Sequence, residues 1–140
     1  MKIAIVGAGI GGLTAAALLE EQGHQVKVFE KNNSINELSA GIGIGDNVLK
    51  KLGHHDLAKG IKNAGQTLTA MNIYDEQGTP LMCAKLKTHS LNVALSRQTL
   101  IEIIQSYVKE SSIHTGFKVT KIEQTSCKVT LHFIKIGRAH

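Results

Sequence analysis

The chain has 140 residues, a formal net charge of +5 and 42% hydrophobic residues. This length predicts one domain with a buried core, although it is short for an enzyme that holds both a dinucleotide and a substrate. Three Phe, two Tyr and no Trp provide no aromatic platform for bases, so we expect no nucleic-acid partner. A basic surface that mildly favours an anionic cofactor is the better interpretation of the charge.

The sequence also lacks the marks of a membrane or metal protein. No apolar run approaches the length of a membrane span, and Met1 leads directly into a predicted strand, so we expect neither a span nor a signal peptide. Cys83 and Cys127 are isolated and have no metal-binding spacing. We therefore predict a cytoplasmic protein with reduced thiols and no metal site.

The opening stretch has the composition and order of a dinucleotide-binding βαβ unit. A predicted strand over 3–6 is followed by three glycines in the pattern G-x-G-x-x-G, which are Gly7, Gly9 and Gly12. A predicted helix over 13–22, a second strand over 25–29 and the acid Glu30 come next. A lone glycine motif is weak support, and a glycine-rich turn in an ordinary βαβ unit is the alternative. That alternative leaves the third glycine and the terminal acid unexplained.

Each residue of this pattern has a physical role. Gly7 permits the tight turn, Gly9 allows a pyrophosphate to approach the backbone, and Gly12 lets the helix pack close to the strand. The helix N-terminus offers N–H groups and a positive dipole to the phosphates. Glu30 can accept hydrogen bonds from ribose hydroxyls, and it would repel a 2′-phosphate.

The next segment alternates glycine and isoleucine. Residues 40–45 predict a short strand whose glycines mark close approach by a ligand or another backbone, with a loose turn as the alternative. Asp46 is a candidate N-cap for a helix over 47–52. A second short helix is predicted over 54–60.

An antiparallel hairpin interrupts the α/β pattern. Residues 66–74 and 79–84 have strand character, and the polar segment 75–78 predicts the turn between them. An insertion of this kind, at about 66–85, is typical of a substrate region rather than of a cofactor fold.

The following segment returns to a strand and a helix. A strand over 92–95 precedes Ser96, which is a good N-cap for a helix over 97–109. The predicted buried face of that helix consists of Leu100, Ile103, Ile104 and Tyr107. Arg97 lies in the first turn, where the helix dipole disfavours a cation. A specific anionic partner and a plain surface position remain equal alternatives for Arg97.

The last third of the chain predicts strands. Residues 113–114 favour a short strand, and 117–123 and 128–134 favour a β-meander over the parallel sheet. Across the chain we find no Ser-His-Asp, Cys-His or paired-carboxylate arrangement, and we predict no catalytic side chain. The adjacent His54 and His55 are interpreted as surface residues. Chemistry would therefore come from a bound cofactor.

Four segments together resemble the N-terminal part of the single-component FAD-dependent monooxygenases, the aromatic hydroxylase group with the p-hydroxybenzoate hydroxylase-like fold. They are GAGIGGLTAAALLEEQGHQVKVFEK, AGIGIGDNVLKKLG, the hairpin over 67–84 and SRQTLIEII. The resemblance covers 1 to about 133. It implies an α/β fold: a Rossmann-like FAD-binding βαβ unit with a parallel sheet, an inserted antiparallel hairpin and a β-meander.

The resemblance also implies the cofactor contacts. Glu30 would bind the adenosine ribose of FAD with Lys31 nearby, the glycine loop would flank the pyrophosphate, and Arg97 would reach the phosphate–ribitol side. The full set of expected contacts is Gly7, Gly9, Gly11, Gly12, Glu30, Lys31, Gly41, Ile42, Gly43, Ile44 and Arg97. The implied activity is hydroxylation of an aromatic or similar small molecule with NAD(P)H and O₂.

The chain departs from the family at its C-terminal end. The family continues into an Asp-Gly strand and a later Gly-Asp motif, and neither is present. Residues 134–140 do not resemble that continuation, and IGRAH matches one reading frame of a common sequencing adapter. We therefore expect a truncated gene product, with 1–133 as an incomplete FAD-binding domain. An in-frame stop after His140 at the genomic locus would contradict this expectation.

Two alternatives to the monooxygenase interpretation stay open. The amine oxidase and carotenoid desaturase flavoproteins share the opening but show a Gly-Gly pair soon afterwards, whereas residues 32–38 contain no glycine. The other alternative is a catalytically inactive fragment with weak or no FAD binding and an exposed sheet edge.

Overall fold

The computed structural model describes residues 1–35, 40–52, 55–86 and 92–136. The predicted α/β class is confirmed. In chain order the elements are β1 (Lys2–Val6), α1 (Ile10–Glu21), β2 (Gln25–Glu30), β3 (Gly41–Ile44), α2 (Asp46–Lys51), α3 (Asp56–Ala64), β4 (Gln66–Thr67), β5 (Ala70–Tyr74), β6 (Pro80–Lys85), β7 (Val93–Ser96), α4 (Arg97–Ser106), a 3₁₀ turn (Glu110–Ser112), β8 (Ile113–Thr115), β9 (Phe117–Gln124) and β10 (Val129–Lys135).

The chain divides into two compact units. The first comprises Met1–Glu37 and Ile104–His140, and the second comprises Leu38–Ile103. The first unit contains the parallel sheet in the order β1-β2-β8, together with the antiparallel pair β9–β10. The second contains the antiparallel sheet β3-β7-β4 and the separate hairpin β5–β6.

Helix α1 packs closely on the parallel sheet because its sheet-facing residues are small or apolar. Leu13, Ala16 and Ala17 are buried, as are Val26 and Val28 on alternate positions of β2. The predicted βαβ unit is therefore confirmed, but the helix begins earlier than predicted. It starts at Ile10 rather than at residue 13, so the second half of the glycine motif is helical.

Strands β9 and β10 cover part of the parallel sheet, where the sequence predicted a β-meander. The ring of Phe133 on β10 lies 4.5 Å from the ring of Phe29 on β2, and the ring of His114 on β8 stacks on Phe29 at 5.3 Å. A register shift between His132 and Phe133 interrupts the regular alternation of β10. Residues Ile134 and Lys135 continue β10 and pair with β9.

The core of the second unit is formed by helices and one strand. Leu49 of α2, Leu57 and Ile61 of α3, and Val93 of β7 are all buried. The backbone at Gly65 packs against Val93 so closely that a Cβ there would lie 2.8 Å from the Cβ of Val93. Hairpin β5–β6 is confirmed and its residues are almost all exposed.

The predicted bounds of the helices α2 and α3 are wrong by a few residues. Asp46 is the first residue of α2 rather than its N-cap, and its N–H is accepted by the side-chain Oδ1 of Asn92 at 3.1 Å. Helix α3 occupies Asp56–Ala64 rather than 54–60, and His54 lies outside the described residues.

The predicted long strand over 66–74 is wrong. It is divided into β4 and β5, which belong to different sheets: β4 pairs with β7, and β5 pairs with β6. Two residues, Leu68 and Thr69, separate them.

The predicted helix after Ser96 is also shorter than expected. It ends at Ser106, so Tyr107 is not part of its buried face and is 40% exposed. Leu100 and Ile104 are buried as predicted, and Ile101 is buried in addition. The cap is confirmed, since Ser96 Oγ accepts the Thr99 N–H at 2.9 Å. No helix among the described residues is long and apolar enough to cross a membrane.

Candidate functional site

The glycine loop joins β1 to α1 through a conformation that favours glycine. Gly7 has a φ of +99°, and its N–H donates to the carbonyl of Phe29 on β2 at 2.8 Å. A Cβ on residue 12 would lie 2.0 Å from the Gly7 carbonyl oxygen and 3.3 Å from Ile5. The first and third glycines therefore serve the turn and the close packing that the motif requires.

No side chain of the residues that the structure describes caps the N-terminus of α1. The first helical bond runs from the Leu13 N–H to the carbonyl of Gly9 at 2.9 Å, so the N–H groups of Ile10, Gly11 and Gly12 precede the regular ladder. Among the described residues, no heavy atom beyond the adjoining chain lies within 4 Å of a Cβ built at Gly9 or Gly11. The loop thus combines open space with the positive end of a helix, which suits a phosphate group.

Glu30 places a buried carboxylate beside the glycine loop. Its side chain is 9% exposed, Oε2 accepts the Ala8 N–H at 2.8 Å, and Oε1 accepts the Asn32 N–H at 2.9 Å. Each carboxylate oxygen has two lone pairs, so a further donor can bind each oxygen. Lys31 follows on an exposed bend. The structure therefore brings Glu30 and the glycines together, and it leaves Lys31 at the surface.

The second unit holds the other predicted contacts. Gly41 to Ile44 form β3, which pairs with β7 so that Gly41 lies opposite Ser96. The Arg97 N–H donates to the carbonyl of Ala40 at 2.8 Å, which places the start of α4 next to the start of β3. Within the described part of the chain, no heavy atom beyond the adjoining residues lies within 4 Å of a Cβ built at Gly41 or Gly43. The structure therefore places the backbone of Arg97 beside this glycine-rich strand.

Glu20 has a structural role that the sequence analysis did not assign to it. Its Oε2 accepts the Lys109 N–H at 2.9 Å, and its Oε1 accepts a hydrogen bond from Ser112 Oγ. Glu20 lies near the C-terminus of α1, where the helix dipole disfavours an acid. That unfavourable position was the signal that a specific partner was present.

A large cleft lies elsewhere in the first unit and is lined by residues of the parallel sheet and of β9 and β10. It has a volume of about 1180 Å³, and its lining includes Ala4, Val6, Phe29, Leu131 and Phe133. Among the described residues, its lining contains none of the predicted cofactor contacts. The part of the chain that the structure describes also contains no cluster of metal-ligating side chains.

The fold and the glycine loop define a Rossmann-like domain. Residues 5–53 match the family described as "NAD(P)-binding Rossmann-like domain". This region contains the glycine motif, α1, Glu30 and β3, which are the elements that carry most of the predicted contacts.

The resemblance to FAD-dependent monooxygenases is confirmed. The chain is 31% identical over 139 residues to FAD-dependent urate hydroxylase of Klebsiella pneumoniae subsp. pneumoniae, a match that covers 95% of this chain and 36% of the relative. The structure of Klebsiella pneumoniae HpxO complexed with FAD and uric acid superposes with a TM-score of 0.82 at 29% identity. That superposition covers 98% of this chain and 36% of that one.

A shorter similarity connects the chain to another flavoprotein class. It is 60% identical over 35 residues to 4,4′-diapophytoene desaturase of Staphylococcus aureus, which is 25% of this chain and 7% of the relative. That likeness covers a quarter of the chain, whereas the hydroxylase likeness covers nearly all of it. The chain spans about a third of the length of the hydroxylase relative.

Proposed function

We propose that the first unit binds the adenosine diphosphate half of FAD. The observation that carries this proposal is the pairing of an uncapped helix N-terminus with the buried Glu30 carboxylate at one loop. The glycines Gly7, Gly9, Gly11 and Gly12 would flank the pyrophosphate, whose charge suits the N–H groups of the first helical turn. Glu30 would accept hydrogen bonds from the ribose hydroxyls, and Lys31 would lie near the adenosine.

The contacts proposed in the second unit are Arg97 and the strand Gly41, Ile42, Gly43 and Ile44. A planar guanidinium at Arg97 suits the flavin-side phosphate because it can donate two parallel hydrogen bonds. The open space beside Gly41 and Gly43 would admit the cofactor close to the backbone. The similarity to FAD-dependent hydroxylases supports these assignments.

For the longer protein to which such a domain belongs, we propose an FAD-dependent monooxygenase. It would use NAD(P)H and O₂ to hydroxylate an aromatic or similar small molecule, and FAD would supply the redox chemistry. The urate hydroxylase relative and the uric acid in the HpxO complex support a small aromatic substrate. The exposed free thiols of Cys83 and Cys127 support a reducing, cytoplasmic location.

A desaturase-like flavoprotein is the second candidate, on the basis of the 35-residue similarity. This similarity is short enough to reflect the shared dinucleotide-binding opening alone. Residues 32–38 lack the glycine pair that this class shows after its second strand. We therefore favour the monooxygenase.

Titration of the purified chain with FAD and with ADP tests the proposed function. We expect saturable FAD binding that is weak enough for the cofactor to be lost during purification, and we expect ADP to compete for the same site. The 2′-phosphorylated form of ADP should bind roughly tenfold or more weakly, because Glu30 repels the added charge. FAD binding that ADP does not displace would contradict the proposal.

A further inference from the structure

A hydrogen bond between Glu30 and Ala8 connects the end of β2 to the glycine loop. Oε2 of Glu30 accepts the Ala8 N–H at 2.8 Å, and both residues are buried, with exposures of 9% and 2%. The other carboxylate oxygen accepts the Asn32 N–H at 2.9 Å. We propose that Glu30 is a positioning residue, which holds the glycine loop in its phosphate-binding conformation before any ligand binds.

The hydrogen bond from the Ala8 N–H stands next to a similar hydrogen bond from the preceding residue, Gly7. The Gly7 N–H donates to the carbonyl of Phe29, so two successive loop N–H groups are held by the last two residues of β2. The N–H groups of Ile10, Gly11 and Gly12 then precede the regular helical ladder, and a Cβ built at Gly9 or Gly11 meets no described heavy atom within 4 Å. A bond from a backbone N–H to a carboxylate is about twice as strong as a neutral one, so Glu30 restrains this register firmly.

The link to Ala8 leaves Glu30 able to bind a ribose as well. Each oxygen accepts one backbone N–H and retains a second lone pair. The ligand side of this inference rests on the proposed function, whereas the restraint of the loop is a property of the ligand-free chain. The two are therefore tested separately.

Amide hydrogen exchange of the ligand-free chain tests the restraint. We expect the Ala8 N–H to exchange at least about tenfold more slowly than the Gly11 N–H, which lies in a first helical turn without a backbone acceptor. In Glu30→Asp the charge is retained but the carboxylate is one methylene further away, so Ala8 should lose this protection. The exposed control Glu110→Gln should not change it. Equal exchange at Ala8 and Gly11 in the wild-type chain would overturn the proposal, whether or not the variant folds.

Binding of ADP and of 2′,3′-dideoxy-ADP separates positioning from ribose contact. If Glu30 acted only on the ribose, Glu30→Asp would leave the affinity for the dideoxy probe unchanged, and that result would overturn the proposal. A positioning role predicts that the dideoxy probe binds about three- to tenfold more weakly to the variant. Failure of the wild-type chain to bind ADP would contradict the proposed function, and the exchange measurement would still decide the role of Glu30.

Discussion

The carbonyl oxygen of Gly7 lies too close to Gly12 for residue 12 to carry a side chain. A Cβ on residue 12 would lie 2.0 Å from that oxygen, which belongs to the backbone and cannot rotate away. Gly12→Ala should therefore destabilise the chain by about 1–3 kcal/mol, since the loop or the helix must shift. Urea denaturation followed by circular dichroism measures this loss.

Gly11→Ala is the matched control for that substitution. Gly11 is also helical, but its Cβ would enter open space. We expect its stability to be unchanged or raised by up to about 1 kcal/mol, because alanine restricts the unfolded chain. Its affinity for ADP should nevertheless fall, since the added methyl faces the proposed pyrophosphate position. A loss of stability equal to that of Gly12→Ala would contradict the close-packing explanation.

Glu20 accepts hydrogen bonds that connect helix α1 to the segment before β8. Glu20→Ala removes the acceptor of the Lys109 N–H and of Ser112 Oγ, and it should destabilise the chain by about 1–3 kcal/mol. The exchange rate of the Lys109 amide should rise in the same variant. The exposed control Glu110→Ala should change the unfolding midpoint little. An unchanged unfolding midpoint in Glu20→Ala would contradict this expectation. It would show that water replaces both hydrogen bonds without a loss of stability.

The pKa of Glu123 is lowered by its hydrogen bond from Lys121 and by its hydrogen bond and charge interaction with His132. The distances are 2.5 Å to Lys121 Nζ and 2.9 Å to His132 Nε2. Because the pKa of this carboxyl is lowered in the folded chain, its contribution to folding stability is fully present above pH 4.5, which is the ordinary pKa of a glutamate. That contribution is lost as the pH falls through the lowered pKa. The group is exposed, so the effect on stability should be small.

Carbon NMR titration of the Glu123 carboxyl measures this shift. The wild-type midpoint should lie below 4.5, and Lys121→Met should raise it towards that value. Lys118→Met, on the same strand, serves as the control for removing a charge. A wild-type midpoint at or above 4.5 would rule out the hydrogen-bonded arrangement.

The Arg97 side chain should contribute to the affinity for FAD but not to the affinity for ADP, because its proposed partner is the flavin-side phosphate. Arg97→Gln should weaken FAD binding roughly tenfold to a hundredfold, as expected for a hydrogen bond to a charged group. The backbone bond from Arg97 to Ala40 does not involve the side chain, so the fold should be retained. Lys85→Gln removes the same charge from the same unit and should leave both affinities unchanged. Equal weakening of FAD and ADP by Arg97→Gln would contradict the assignment.

The βαβ unit could be predicted closely because local signals agree there. A strand, spaced glycines and an acid such as Glu30, when they follow one another in this order, indicate a dinucleotide-binding βαβ unit. The strand over 66–74 was predicted wrongly because local β character does not say which partner a strand will choose, and Leu68 and Thr69 separate two sheets. Pairing is a tertiary property that propensity does not encode.

The candidate site shows the same division between local and tertiary information. The roles of Gly7 and Gly12 follow from glycine chemistry, and the sequence predicted both. The bond from Glu30 to Ala8 joins residues 22 positions apart, so only the folded arrangement reveals it. Glu20 could have been noticed, since an acid near a helix C-terminus opposes the dipole.

Amide mapping of the ¹⁵N-labelled chain with ADP tests the central claim most directly. If the glycine loop binds the adenosine diphosphate half of FAD, the largest and saturable shifts will fall on Gly9, Gly11 and Gly12. The amides of Glu30 and Asn32 will shift with the same affinity, whereas those of the exposed hairpin over 70–85 will stay unchanged. Shifts confined to surface lysines, or no saturable shift in the loop, would contradict the account.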